Sequence, residues 1–331
     1  DHVVAEFALQ AHVIRRDKVN ISHNKLVVLL RKGQPFMAWT GSANFSENAF
    51  NYQSNSGLVI TDVSAVENFE AYFQALLDNP AKAESKKRNQ AIMDKINQLP
   101  ARMAEKTFFS PIKSTDILET SVRLIKSAKS MVLISSPFGL DKKILTALSE
   151  NDRKIIEYGL VNTSAQKRVA SLHHHNSRFF PPKRLKTYRN ERWDAKAFGA
   201  HKIHMKTIVI DPYGGSPKVL IGSANFSKAS CVHNDENAML IVGDERLAAV
   251  ISTEFMRMYD HYKSRYYIDR NAKKNAEIRK QNKVLKAQGK PLKKQKSIDM
   301  FLKEDSSWNK TSFDKNSFSH KFRDRIVFSG Q

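Results

Sequence analysis

A single cysteine, Cys231, stands among the 331 residues of this chain. One thiol excludes an internal disulfide and a cysteine-built zinc site, and Cys231 reads as a small buried residue rather than a reactive one. Long apolar runs are also missing: nowhere do 18 apolar residues follow one another, which excludes a membrane-spanning helix. Acidic residues are scarce and scattered, 33 Asp+Glu against 55 Lys+Arg. No cluster of them suits a pair of magnesium ions. The resulting formal charge of +22 favours a polyanionic partner, nucleic acid first and an anionic phospholipid surface second.

What the chain does have is a duplication. His204-Met-Lys206 is followed by Asp211 and then by Gly222-Ser223-Ala224-Asn225-Phe226-Ser227. Upstream, His23-Asn-Lys25 is followed by Gly41-Ser42-Ala43-Asn44-Phe45-Ser46, with the same 18-residue spacing from His to Gly. Each copy supplies a histidine, a lysine, a serine and an asparagine, the side chains needed to handle a phosphate. Two copies related by a pseudo-twofold axis bring His23 and His204 to either side of one phosphorus. An isolated histidine is ordinarily a structural residue, and this pattern is what sets these two apart. His201 and His233 lack a partner copy and are assigned no more than a supporting place. The triplet His173-His-His175 is not read as a metal site, because three consecutive rings on a regular strand or helix do not converge on one ion.

The H-x-K-x(4)-D and G-S-x-N pairing resembles the phospholipase D superfamily. The second copy matches throughout (His204, Lys206, Asp211, Gly222, Ser223, Asn225), whereas the first has Leu30 where the Asp belongs. The resemblance spans about residues 15 to 265. It implies an α/β fold of two pseudo-symmetric lobes, each a β-sheet flanked by helices, with the active site at their interface. It also implies a phosphodiesterase working through a phosphohistidine, with Asp211 as a structural support. Finally, it implies a crosswise arrangement in which a residue about 30 positions after each histidine orients the opposite ring. On that basis Glu236 backs His23 and Gln53 backs His204, with Ser54 or Asn55 in Gln53's place if the alignment slips.

Patterning divides the chain into a first lobe (1–105), a second lobe (106–262) and a basic helical tail with a C-terminal segment that packs back (263–331). Only 22 residues precede His23, so the first lobe is expected to lack the opening strands and helix that precede His204. Ser64 reads as the N-cap of a helix to Leu77, with Val66, Phe69, Phe73, Leu76 and Leu77 on its inner face. Strands are expected around 131–137, 154–161, 202–211, 219–226 and 239–242, and a helix from Asp244 to Tyr262. Between Lys263 and Lys296 stand thirteen basic residues against Asp269 and Glu277, a segment read either as a solvated helix or as an arm for a nucleic-acid backbone.

Chemically, Lys25, Lys206, Asn44 and Asn225 neutralise phosphate oxygens, and Ser42 and Ser223 join or support that cradle. With this charge supplied by side chains, no metal or other cofactor is required. One histidine attacks phosphorus while the other protonates the leaving oxygen and then activates water. A carboxylate partner suits His23 as the nucleophile; a neutral partner suits His204 as the acid and base. The favoured function is a metal-independent nuclease. A phospholipase D or transphosphatidylase is the alternative, for which Arg178-Phe-Phe-Pro181 is the candidate apolar rim, and a catalytically decayed nucleic-acid-binding module is the third reading. The chain is read as cytoplasmic, with one monomer sufficient for one site.

Overall fold

The structure is a computed structural model that describes residues 5–98, 105–152, 154–162, 169, 172, 177–182, 202–296, 304–317 and 320–329. The histidine triplet, His201 and the segment 298–302 lie outside the described residues.

Alternating apolar residues build the first sheet from β1 (Leu26–Arg31), β2 (Gln34–Gly41) and β3 (Gly57–Ile60), paired antiparallel in that order. One face, with Leu26, Val28, Ala38 and Ile60, packs toward the core and the helix α2 (Val63–Leu77). Between β2 and β3 lies the short helix α1 (Glu47–Tyr52), capped by Ser46, whose hydroxyl accepts from the amide of Ala49. Asp62, two residues ahead of the expected Ser64, caps α2 by accepting from Ala65 N at 2.9 Å. Its inner face is Val66, Phe69 and Tyr72, each fully buried, while Phe73 turns outward. Tyr72 takes the inner place because its hydroxyl finds partners there: it donates to Ser110 O and accepts from Asn24 Nδ2. The charged stretch after Pro80 forms α3 (Lys82–Gln98), packed on α2.

The second sheet has seven strands: β4 (Glu105–Ser110), β5 (Met131–Ser136), β6 (Ile156–Val161), β7 (Ser177–Phe180), β8 (Thr207–Ile210), β9 (Lys218–Gly222) and β10 (Glu236–Val242). Their order is β4-β10-β9-β8-β5-β6-β7, with β5, β6 and β7 parallel and the other neighbours antiparallel. Helices α4 (Asp116–Lys126) and α5 (Lys142–Glu150) carry the connections into and out of β5. As expected of strands covered on both sides, β5, β6 and β8 are buried along their whole length. Phe179 and Phe180 of β7 are fully buried, so the segment expected to form an apolar membrane rim is core instead.

Helix α6 (Lys228–Val232) repeats α1, with Ser227 capping as Ser46 does. The last long helix, α7, does not end near Tyr262 but runs for 43 residues from Glu245 to Ala287. No glycine or proline interrupts it before Gly289, which takes a positive φ of 66°. Its N-terminal part buries Ile251, Phe255, Met258 and Tyr259, and Leu247 packs at the margin. After it the chain doubles back, and Asn275 and Asn282 each pair with the main chain of Lys296 and Lys293 in a two-way amide clasp at 2.6–2.9 Å. A final helix, α8 (Lys321–Phe328), rests on the second lobe, where Val327 is buried and the Tyr158 hydroxyl donates to Asp324.

The two lobes differ in what surrounds the repeat. Asp211 accepts from the amides of Lys129, Ser130 and Met131 at 2.7–2.9 Å and from the Ser130 hydroxyl, tying β8 to the turn that opens β5. The first sheet has no strand beside β1 and hence no such turn among the described residues; its counterpart, Leu30, is 49% exposed. Likewise Ile208, Ile210 and Leu220 are buried, while their counterparts 181 positions earlier, Val27, Leu29 and Trp39, face outward on the uncovered side of the first sheet. Asp211→Ala therefore lowers unfolding stability by about 3 kcal/mol in urea titration, as four donors lose one charged acceptor. Leu30→Asp, having no donors to meet, changes it by less than about 0.5 kcal/mol.

Candidate active site at the lobe interface

Each motif glycine exists because another strand runs against it. A Cβ on Gly41 would lie 2.4 Å from Ser56 O, and one on Gly222 would lie 2.4 Å from Asn237 O. The close approach lets Ser42 N donate to Ser56 O and Ser223 N to Asn237 O. The serine hydroxyls accept from the amides of Ser56 and Asn237 in return. Both serines are fully buried and spent on this scaffold. Of the two places expected for them, joining or supporting the site, their hydroxyl contacts are those of a support.

The lobes meet through two short parallel bridges, Ser22 with Asp235 and Ser54 with Ile203. His23 N donates to Asp235 O, and His204 N donates to Ser54 O, so each histidine's own main chain is pinned by the opposite lobe. The rings are held the same way. His23 Nδ1 lies 2.7 Å from Glu236 Oε2, and His204 Nδ1 lies 2.9 Å from Asn55 Oδ1. Glu236 also accepts from the hydroxyls of Ser223 and Ser230. Asn55 accepts from Ser42 Oγ and donates to Ala49 O. These are one network built twice, with Asn55 in the place of Glu236.

Gln53 is accordingly not the partner of His204. Its Oε1 is buried without a protein partner, and the residue lines a polar cavity of about 390 Å³ that also contains Arg257 and His261. The signal for Asn55 is present in the sequence: it follows His23 by 32 residues, as Glu236 follows His204 by 32.

The two imidazoles face each other edge to face, with centroids 6.5 Å apart. Lys25 and Lys206 fold back over their own histidines. Lys25 Nζ donates to His23 O, and Lys206 Nζ donates to His204 O at 2.9 Å and lies 3.0 Å from His204 Nε2. Asn225 is half buried, with its Oδ1 out of contact with any protein donor, and Asn44 is exposed. Lys25, Lys206, His23 and His204 crowd positive or potentially positive groups into one space. Burial lowers Lys25 to about 8, partly offset by Glu236. Burial, reinforced by Lys206, Lys25 and His23, lowers His204 to about 3, so its ring is neutral at pH 7. Lys206 is pushed well below its ordinary value by burial and by Lys25, against the pull of Glu236.

Two family profiles match the chain, one over each motif copy. The NgoFVII restriction endonuclease N-terminal phospholipase D domain matches residues 7–91, and the phospholipase D-like domain of cardiolipin synthase matches residues 122–259. The chain belongs to the phospholipase D superfamily, whose members are phosphodiesterases. No curated protein sequence matches it. Among solved structures it is similar to NucT from Helicobacter pylori at 21% identity, covering 48% of this chain and 97% of that one with a TM-score of 0.38. It is similar also to the phospholipase D family member Nuc from Salmonella typhimurium, at 18% identity, 47% and 94% coverage and a TM-score of 0.36. Phosphatidylserine synthase from Haemophilus influenzae is similar at 12% identity, with 68% and 60% coverage and a TM-score of 0.47. No helix among the described residues is long and apolar enough to cross a membrane.

Binding of a phosphate mimic such as orthovanadate relieves the crowding of positive charge, so the complex takes up protons. At pH 7 the calorimetric heat varies with the ionisation enthalpy of the buffer in the sense of net uptake. Affinity falls as pH rises through about 8, where Lys25 loses its charge. Binding with no proton uptake would contradict this electrostatic picture.

Proposed function

We propose that the chain is a metal-independent phosphodiester hydrolase that cuts nucleic acid through a phosphohistidine. The observation that carries the reading is the pair of opposed histidines, 6.5 Å apart and each oriented through Nδ1 by the other lobe, with two lysines beside them. Fixing Nδ1 leaves each Nε2 for the reaction. His23 Nε2 attacks phosphorus; the bond from phosphorus to the leaving oxygen breaks, and His204 gives that oxygen its proton. His204 then takes a proton from water, whose oxygen attacks the phosphohistidine and releases His23 with a phosphomonoester. Glu236 suits His23 for attack because its carboxylate stabilises the positive charge on a phosphorylated ring. Asn55, being neutral, leaves His204 free to surrender its proton. His204 acquires that proton only once a phosphodiester offsets Lys25 and Lys206. Lys25, Lys206 and Asn225 hold the non-bridging oxygens, Asn44 closes over them, and the lysine charge serves where other phosphodiesterases use a cation.

Nucleic acid is favoured by the +22 charge and by exposed Lys273, Lys274, Lys280, Lys283 and Lys286 along the free half of α7. The restriction endonuclease domain that matches the first lobe supports the same substrate. The lipid alternative has lost its candidate rim to the core.

Purified protein in EDTA is expected to cleave DNA or RNA and to leave anionic and zwitterionic phospholipids intact. With a substrate whose leaving group needs no protonation, the His204→Ala protein accumulates phosphate on His23, while His23→Ala takes up none. Cleavage that requires added magnesium or zinc, or label on His204, would overturn the mechanism. Replacing Lys280, Lys283, Lys286 and Lys290 together by Gln lowers the slope of log affinity against log salt by about 1 for each phosphate no longer neutralised, equally for all sequences. An unchanged slope would make the basic half of α7 a solvated surface.

A further inference from the structure

Seven residues before His23, Arg16 makes a set of contacts that the phosphate chemistry does not use. Its Nε donates to Asp235 Oδ2 at 2.8 Å and Nη2 to Asp235 Oδ1 at 3.3 Å, a two-pronged pair with a carboxylate that is itself fully buried. The remaining protons go to Asn79 Oδ1 at 3.0 Å, Ser85 Oγ at 2.7 Å and Pro80 O. One guanidinium thus joins the N-terminal segment, the corner between α2 and α3, and the first turn into β10. Its side chain is 9% exposed.

Asp235 is the point where that clasp reaches the site. Its carbonyl accepts from His23 N at 3.0 Å, its amide donates to Ile21 O at 3.0 Å, and the next residue, Glu236, holds the His23 ring. Asp235 therefore sets both the backbone and, through its neighbour, the imidazole of His23. The corresponding residue of the other half-site is Ser54, a neutral group that donates to Lys202 O. The half with the carboxylate partner is anchored by an ion pair, where the other has the hydroxyl of Ser54.

We propose, resting on the reading of His23 as nucleophile, that Arg16 is a positioning residue: by neutralising and aligning Asp235 it holds Glu236 against His23 Nδ1. Without Arg16, two adjacent carboxylates are left buried, Asp235 with no counter-charge. A buried carboxylate in that condition takes up a proton or swings toward water, and either response drags the entry to β10 and opens the contact between Glu236 and His23. Lysine is no substitute, because a single ammonium does not reproduce the planar fork that serves Asp235, Asn79, Ser85 and Pro80 together.

The test compares Arg16→Gln, Arg16→Lys, Asp235→Asn and the double variant Arg16→Gln/Asp235→Asn in the full chain, read by turnover, phosphate labelling of His23 and the NMR resonance of the His23 Nδ1 proton. Expected is a loss of turnover and labelling in Arg16→Gln of about 10- to 100-fold, the scale on which removing the outer partner of a metal-ligating histidine acts. The Nδ1 proton resonance moves upfield or is lost to exchange. Arg16→Lys resembles Arg16→Gln, and the double variant recovers at least part of the loss, because no buried charge is left unpaired. Should Arg16→Gln fail to fold, Asp235→Asn and the double variant still decide: the double variant must behave no worse than Asp235→Asn alone. A folded Arg16→Gln with normal labelling and an unmoved proton resonance overturns the proposal, as does a double variant worse than both single ones. If the unmodified protein neither cleaves nor labels, the functional reading fails, while the proton resonance still tests whether Arg16 holds Glu236 in place.

Discussion

Each histidine belongs to one lobe and is held by the other. His23 takes its backbone contact from Asp235 and its ring contact from Glu236; His204 takes them from Ser54 and Asn55. The crosswise pinning makes the position of the reacting nitrogens a property of the lobe interface. Polar groups also cross the interface beside the histidines. Asn237 of the second lobe donates to Asn24 and accepts from Thr40 of the first, Asn24 donates in turn to the Tyr72 hydroxyl, and the Tyr72 ring stacks across the interface on Phe109 at 4.3 Å. A buried polar network of this kind is costly unless complete, and here its completion fixes the register of one lobe on the other.

The duplicated network is nonetheless not symmetric in charge. One half carries Glu236, Asp235 and Arg16; the other carries Asn55 and Ser54 in the corresponding places. A carboxylate behind one ring and an amide behind the other give two otherwise equivalent histidines different surroundings, the asymmetry on which the proposed division of their roles rests. Both lysines stand beside both halves, and burial depresses their basicity.

Much of this is legible in the chain. The repeat of H-x-K and G-S-x-N at one spacing points to both half-sites, and glycine at 41 and 222 is required wherever a neighbouring strand approaches so closely. Ser46 and Ser227 are equally readable as helix caps. The departures have physical causes. Phe179 and Phe180 read as an exposed rim because an apolar pair beside Pro181 carries no mark of which side is covered. Phe73 yields its inner place to Tyr72 because a hydroxyl partner, invisible in the periodicity, waits on β4. The end of α7 expected at Tyr262 has no breaker behind it before Gly289. The change there from apolar to basic residues marks where the helix leaves the core, not where it stops.

Local sequence alone determined which groups enter the candidate site, because a histidine or lysine keeps its functional atoms whatever surrounds it, and the fixed His-to-Gly spacing carries each motif from one strand through a turn to the next. Only the tertiary structure decided which residue stands behind each ring. Gln53 and Asn55 lie two apart and line the same polar cavity, so alternation along the chain does not tell them apart; the placing of the lobes is what brings Asn55 Oδ1 to His204 Nδ1. The same holds for Arg16 and Asp235: 219 residues apart, they become one ion pair only where the two lobes close on each other.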